Sequence, residues 1–274
     1  MNPKHPDLRR ARIYDDVAET YERVNVPRMF AAPGRVLAEA VAPARGARVL
    51  DVGAGTGAVA RAAREAAGDD ALVVAADASA GMLHAARCAG LNDCVVAMLP
   101  DLPFASASFD VVTSAFVLTH LDDADLAAHE MKRVLRPGGK VGLSAWYPGD
   151  DDAAREWSRV VREHIDPPRL EAAVRETLPG DERFARPGSL SDLLAAAGFE
   201  SVVACDHRVE CAMTVDEYVA SREVCATGRA LRALLTPDQW QRCRNDARAA
   251  LSARFPGDVR FARGFHTAVG VRPA

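Results

Sequence analysis

Residues Arg48 to Ala60, RVLDVGAGTGAVA, constrain the fold of this chain more than any other stretch. Val49, Leu50 and Val52 make a short apolar run, the pattern of a strand buried in a parallel sheet. Gly53, Gly55 and Gly57 follow at every second position. Glycines this closely spaced answer two needs at once: a tight turn, and backbone that approaches a ligand without a Cβ in the way. Ala58 to Ala67 is alanine-rich with interspersed Arg61, Arg64 and Glu65, and predicts a helix. Strand, glycine turn and helix make half of a βαβ unit. The free N–H groups at such a helix start suit an anionic group.

The same glycines satisfy the dinucleotide pattern G-x-G-x-x-G/A across Gly53, Ala54, Gly55, Thr56, Gly57 and Ala58. Asp77 ends a second apolar run, ALVVAAD, and lies 20 residues beyond Gly57, where an acid that binds ribose hydroxyls is expected. These residues point to an adenosine-bearing cofactor and leave its identity open. Three more features narrow it. Asp51 stands directly before the turn. Phe109-Asp110-Val111-Val112 follows the run Leu102 to Phe104, and Leu135 to Gly139 reads LRPGG. In this order they resemble the class I S-adenosylmethionine-dependent methyltransferases, and within them the small-molecule group that includes the ubiquinone/menaquinone-biosynthesis enzymes. The resemblance is good over about residues 12–146 and looser elsewhere.

The resemblance implies an α/β fold: a Rossmann-like seven-stranded sheet, mostly parallel, with its last strand antiparallel and inserted between strands five and six. Helices cover both faces and a helical cap stands over the strand ends. It implies S-adenosylmethionine as cofactor, with S-adenosylhomocysteine as product. The implied cofactor site comprises Asp51, Gly53, Ala54, Gly55, Gly57, Asp77, Ala78, Met82, Met98, Leu99 and Ala115. Tyr14 and Tyr21 fall at helical spacing, and the segment they bracket matches one that folds over the cofactor in relatives. Asp51 either holds the cofactor's ammonium or orients the glycine loop. Many members carry an Asp for the adenine amine before the LPF run. Here Met98 stands in that place, which leaves the Leu99 backbone N–H for adenine. His120, in LTHLDD, occupies a position near the reacting centre and is the candidate general base; its bland alternative is a pocket-shaping residue. Trp146 and Tyr147 end strand five over the expected acceptor site, and His164 lies in the following insertion. His207 and His266, on the late strands, are weaker candidates.

The expected organisation is an N-terminal helical lid over 1–44, broken by Pro27, Pro33 and Gly34, then a cofactor-binding core over 45–146. A helical insertion follows over 147–185. The rest of the sheet spans 186–274, with a two-helix insertion at about 214–253. Strands are expected at 48–52, 71–76, 94–98, 110–114, 140–145, 199–210 and 259–271. Six cysteines with no CxxC spacing argue against a zinc site or a disulfide framework. A net charge of −4 without a long Lys/Arg run argues against a nucleic-acid substrate. No apolar stretch suggests a signal peptide or a membrane span, so a cytoplasmic enzyme is expected. Residues 228–263 hold eight arginines and three acids, which reads as a solvated helical face before it reads as a site for a phosphorylated or carboxylated acceptor.

The function expected is methyl transfer to oxygen or carbon of a small hydrophobic or aromatic metabolite. Three rivals remain at this stage. One is a methyltransferase-fold cyclase that keeps the cofactor as a structural element; the others are an NAD-linked oxidoreductase and a binding protein without activity.

Overall fold

The computed structural model describes residues 14–149 and 151–274. Seven strands form one sheet in the order β3-β2-β1-β4-β5-β7-β6. They are β1 (Arg48–Val52), β2 (Leu72–Asp77), β3 (Cys94–Val96), β4 (Phe109–Ala115), β5 (Leu135–Trp146), β6 (Glu200–Met213) and β7 (Val259–Val271). The first five run parallel, and β7 lies antiparallel between β5 and β6. The order reverses between β1 and β4, so the carboxyl ends of these two strands open a crevice, the usual ligand position in a doubly wound sheet.

Each face of the sheet buries its own apolar layer. On one side Leu50, Val112, Leu143 and Ala268 pack under Met131, Val134, Leu190 and Leu194. On the other, Val49, Val73 and Val111 pack under Ala38, Val41, Ala63 and Leu83. Central parallel strands covered on both faces are apolar along their length, which is why β1 and β2 are plain in the sequence.

Several elements depart from expectation. Residues 1–13, the start of the expected lid, lie outside the described residues. From Asp15 to Val41 the prolines do not break the segment: a 3₁₀ turn, a short α turn, a wide helical run Tyr21–Phe30 with i→i+5 bonding and the helix Ala31–Val41 follow without a gap. The wide run takes in Pro27, as such bulges accommodate a residue with no N–H to give. Gly34 is no breaker either. A Cβ there would sit 3.3 Å from the Ala58 backbone, so it permits close helix packing. β3 is shorter than expected, with Met98 and Asp101 joined in an isolated bridge. LRPGG belongs to β5, whose pairing with β4 slips between Phe109 and Val111 to absorb it.

Three helices, Val215–Val224, Ala226–Leu234 and Pro237–Arg254, fill the region where two were expected. They pack with Asp152–His164 around Trp157, Val161, Leu231, Cys243 and Leu251. The two insertions therefore make one cap over the strand ends.

Candidate active site

The glycine turn is built as its sequence demands. Gly53, Gly55 and Gly57 have φ of 67°, 55° and 89°, a region that costs other residues energy. A Cβ on Gly53 would strike Val117 at 2.2 Å, and one on Gly57 would strike Leu91 at 2.2 Å, whereas the corresponding position at Gly55 is open. Gly53 and Ala54 donate their N–H groups to the Ala76 carbonyl, and Gly57 donates to Ala54. Asp77, at the end of β2, fixes the front of the turn: one carboxylate oxygen accepts from Gly55 N–H at 2.7 Å and the other from Ser79 N–H at 2.8 Å. Burial raises the Asp77 pKa, while these two N–H groups oppose the rise.

Asp51 points elsewhere. It is buried below the turn, where its oxygens accept from the Ala60 N–H at 3.1 Å and the Thr113 hydroxyl at 2.8 Å. Burial pushes its pKa up to about 7 against these hydrogen bonds. These partners tie the end of β1 to the helix Ala58–Ala67 and to β4.

In front of the turn lies a cavity of about 440 Å³. Gly53, Gly55, Asp77, Ala78, Met82, Met98, Leu99 and Ala115 line one end, and Tyr14, Tyr21 and His120 also face it. The Tyr14 hydroxyl is 3.2 Å from His120 Nε2. Asp15, next in the chain, accepts from the Ser79 hydroxyl at 2.5 Å and from Gly81 N–H at 2.9 Å, which pins this segment to the start of the helix Ala80–Cys88. Burial holds the Tyr14 phenol above its ordinary range; the Arg229 guanidinium, 3.6 Å from the ring centre, works against that.

Toward the cap the wall becomes aromatic. Phe116 stacks on Trp146 at 4.3 Å between ring centres, and Phe30 meets both edge-on at 5.5 and 5.6 Å. Tyr218, Phe261, Arg222 and Arg263 complete this end.

The structure thus brings together most of the residues expected from the sequence, and sets some apart. Ala54 and Gly57 shape the turn without lining the cavity. Tyr147 also turns away, and its hydroxyl donates to Asp206. His164 faces the outer helix Pro237–Arg254 and pairs with Asp246 at 2.9 Å. His207 bonds the Thr267 hydroxyl and stacks on Phe265, and buried His266 packs against Tyr147. None of these three histidines lines the cavity. Phe30, Phe116, Tyr218, Phe261 and Arg222 escaped the sequence reading, and Arg263 entered it only as one of the eight arginines of 228–263. Phe116 did carry a signal, lying one residue beyond β4 where strand-end residues line ligand sites; its φ of 60° is rare for a phenylalanine.

Residues 50–143 match the family described as Methyltransferase domain. A nocamycin O-methyltransferase from Saccharothrix syringae is 31% identical over 210 residues, covering 69% of this chain and 72% of that protein. A demethylmenaquinone methyltransferase from Clavibacter sepedonicus is 33% identical over 211 residues, covering 72% and 83%. The chain belongs to the class I S-adenosylmethionine-dependent methyltransferases. Among solved structures, a Haemonchus contortus phosphoethanolamine N-methyltransferase in complex with phosphomonomethylethanolamine and S-adenosylhomocysteine superposes with a TM-score of 0.60. It shares 18% identity, covers 98% of this chain and 59% of its own, and shows likeness of fold alone.

This methyltransferase uses S-adenosylmethionine, and the site's chemistry fits it. The open face of Gly55 leaves backbone bare toward the cavity, and an oriented carboxylate stands beside it at Asp77. The cofactor supplies a methyl group activated on a sulfonium. Hydride transfer as the alternative chemistry finds no support in these matches. No helix among the described residues is long and apolar enough to cross a membrane.

Proposed function

We propose that this methyltransferase methylates an oxygen or carbon of a hydrophobic or aromatic small molecule seated in the cap half of the cavity. One observation carries this reading: a single cavity runs from the glycine turn and Asp77 to the aromatic wall of Phe30, Phe116 and Trp146. Two relatives support it, one named for O-methylation and the other for demethylmenaquinone.

In this reading Asp77 accepts the ribose hydroxyls, and Gly53 and Gly55 lie along the methionine and ribose. Met82, Met98 and Leu99 flank the adenine, Ala78 and Ala115 border the cofactor, and Tyr14 and Tyr21 close over it. The acceptor packs on Phe116 and Trp146. Positioning and exclusion of water contribute up to roughly 7–11 kcal/mol to such a transfer. Where the acceptor is a hydroxyl, His120, with Tyr14 on its Nε2, takes up its proton.

The test is incubation of the purified enzyme with methyl-labelled donor and a panel of phenols, quinols and apolar hydroxy acids. The expected result is S-adenosylhomocysteine together with a product one methyl group heavier. Turnover of an acceptor without S-adenosylhomocysteine release would replace methyl transfer with a cyclase-type reaction.

A further inference from the structure

We infer that Arg222 and Arg263 form an anion-binding pair at the cap end of the cavity, so that the acceptor bears a carboxylate on its apolar body. This rests on the small-molecule reading above and names the chemical class of that acceptor. Arg222 comes from the helix Val215–Val224 and Arg263 from β7; both line the cavity.

Neighbouring arginines on the cap find carboxylates, Arg244 with Glu223 at 2.6 Å and Arg248 with Asp216 at 2.5 Å, and Arg28 of the N-terminal segment meets Glu217 at 2.9 Å. Arg229 is also buried without a carboxylate among the described residues, but it lies over the Tyr14 ring and does not line the cavity. Among the described residues neither Arg222 nor Arg263 has such an ion pair, and the Arg222 Nε is buried without a hydrogen-bond acceptor. Their recorded contacts are with ring faces: Arg263 lies 4.4 Å from the centre of Trp146 and Arg222 lies 5.9 Å from that of Trp157. Stacking uses the flat face of a guanidinium and none of its edge donors. Burial and the charge of Arg222 bring the Arg263 pKa down to about 10, so both remain cationic at neutral pH and repel one another. Buried donors left unmet are costly. A carboxylate that accepts from both would remove that cost and the repulsion together.

Two acids share this end of the cavity. Asp151 accepts from the Ala154 N–H as a helix cap at 2.8 Å. Asp181 feels the Arg263 charge, yet burial raises its pKa. With two acids already present, a singly charged carboxylate suits the pair better than a phosphate dianion. The aromatic wall beside the arginines accepts the apolar remainder of the molecule.

The experiment uses the full-length protein saturated with S-adenosylhomocysteine, titrated calorimetrically with 2-naphthoate and with its neutral counterpart 2-naphthamide. The acid is expected to bind about tenfold tighter or more, as charge-assisted pairing to arginine would give. In Arg222→Met and Arg263→Met that preference is expected to collapse to about twofold or less while S-adenosylhomocysteine affinity is retained. Equal affinity of acid and amide in the wild type, or no binding of either at millimolar concentration, overturns the inference. So does a preference that survives both substitutions. Should either Met variant fail to fold, the wild-type comparison decides, together with Arg263→Lys, which keeps the charge and should keep part of the preference. Failure of S-adenosylhomocysteine itself to bind would instead overturn the cofactor reading beneath it.

Discussion

Half-buried Asp77 and buried Asp51 both stand at strand ends, and their partners separate their roles. Asp77 faces the cavity with its oxygens oriented by the Gly55 and Ser79 N–H groups. In the proposed role Asp77 accepts the ribose hydroxyls, so Asp77→Ala would remove charge-assisted hydrogen bonds each worth roughly 1.5–3 kcal/mol. The dissociation constant for S-adenosylhomocysteine should rise about tenfold or more in a folded variant, as calorimetry would read; an unchanged value would remove Asp77 from the site. Asp51 faces the core, and its pKa of about 7 ties folding to pH. The folded protein holds this proton more tightly than the unfolded chain, where the carboxyl has its ordinary value of 3.8. The Asp51 contribution to stability is therefore greatest at acidic pH and falls as pH rises from about 4 through about 7. At about 1.36 kcal/mol per pH unit the whole effect is at most roughly 4 kcal/mol. Urea titrations of wild type and Asp51→Asn at about pH 5 and about pH 7.5 should show the wild type losing stability relative to the variant on going to the higher pH; parallel behaviour would contradict it. His120 is the general base in the proposed reaction. With a neutral hydroxyl acceptor, His120→Ala should lower kcat by about 10²–10⁴-fold and leave cofactor affinity nearly intact. The loss should shrink for an acceptor already ionised at the assay pH. Were turnover on the neutral acceptor barely changed, His120 would be a residue that shapes the pocket.

The segment Tyr14–Phe30 owes its place to one close approach. Gly81, in the first turn of the helix Ala80–Cys88, leaves room for the Asp15 backbone; a Cβ there would lie 2.7 Å from Asp15 Cα and O. In an isolated helix Gly81→Ala would stabilise by about 1 kcal/mol. Here it should lift Asp15 from the helix start and Tyr14 from the cavity. Amide hydrogen exchange over 14–30 should quicken, and S-adenosylhomocysteine should bind more weakly. In the wild type the same cofactor product should slow exchange over 14–41; identical exchange with and without it would make this segment plain structure rather than a closing element. Elements differ in how far their own residues announce them. β1, the glycine turn and β2 were legible because apolar runs and forced φ values are local facts. The break at Cys225 was not: no proline marks it, and only Gly228, where a Cβ would meet the Arg222 carbonyl at 2.0 Å, shows how tightly the two helices adjoin. β6 is an edge strand with mostly exposed residues, so its length follows from pairing with β7 and not from its own pattern. Asp77, Tyr14 and His120 could be picked from motifs, since Asp77 and His120 lie in the core sequence and Tyr14 in the segment that precedes it. Arg222, Tyr218 and Arg263 could not. A helix and a strand far apart in the chain bring them to the cavity, and on their own elements they read as ordinary surface arginines and a core tyrosine.

At the scale of the molecule, the β6–β7 ribbon decides how the cap relates to the sheet. β7 pairs with β5 from Val271 to Phe265, and beyond that point continues against β6 alone as far as Val259. The ribbon therefore projects past the sheet. The helix Val215–Val224 starts just after β6, and Pro237–Arg254 leads back into β7. The cap hangs on two strands that are also sheet strands, with no linker between them. A second tie crosses the seam: Phe116 and Trp146 from the core strands contact Phe30 from the N-terminal segment and Phe265 from β7. Cap and core should consequently unfold together. The protein offers a direct probe, because its three tryptophans are Trp146 at the seam and Trp157 and Trp240 in the cap, while helical circular dichroism sums over both parts. In urea the tryptophan emission and the far-ultraviolet signal should trace one coincident transition. S-adenosylhomocysteine at about 100 times its dissociation constant should move both midpoints upward together, corresponding to about 2.7 kcal/mol. A tryptophan transition at lower urea than the circular dichroism would mean that the cap melts off an intact sheet, and that the ribbon is a hinge.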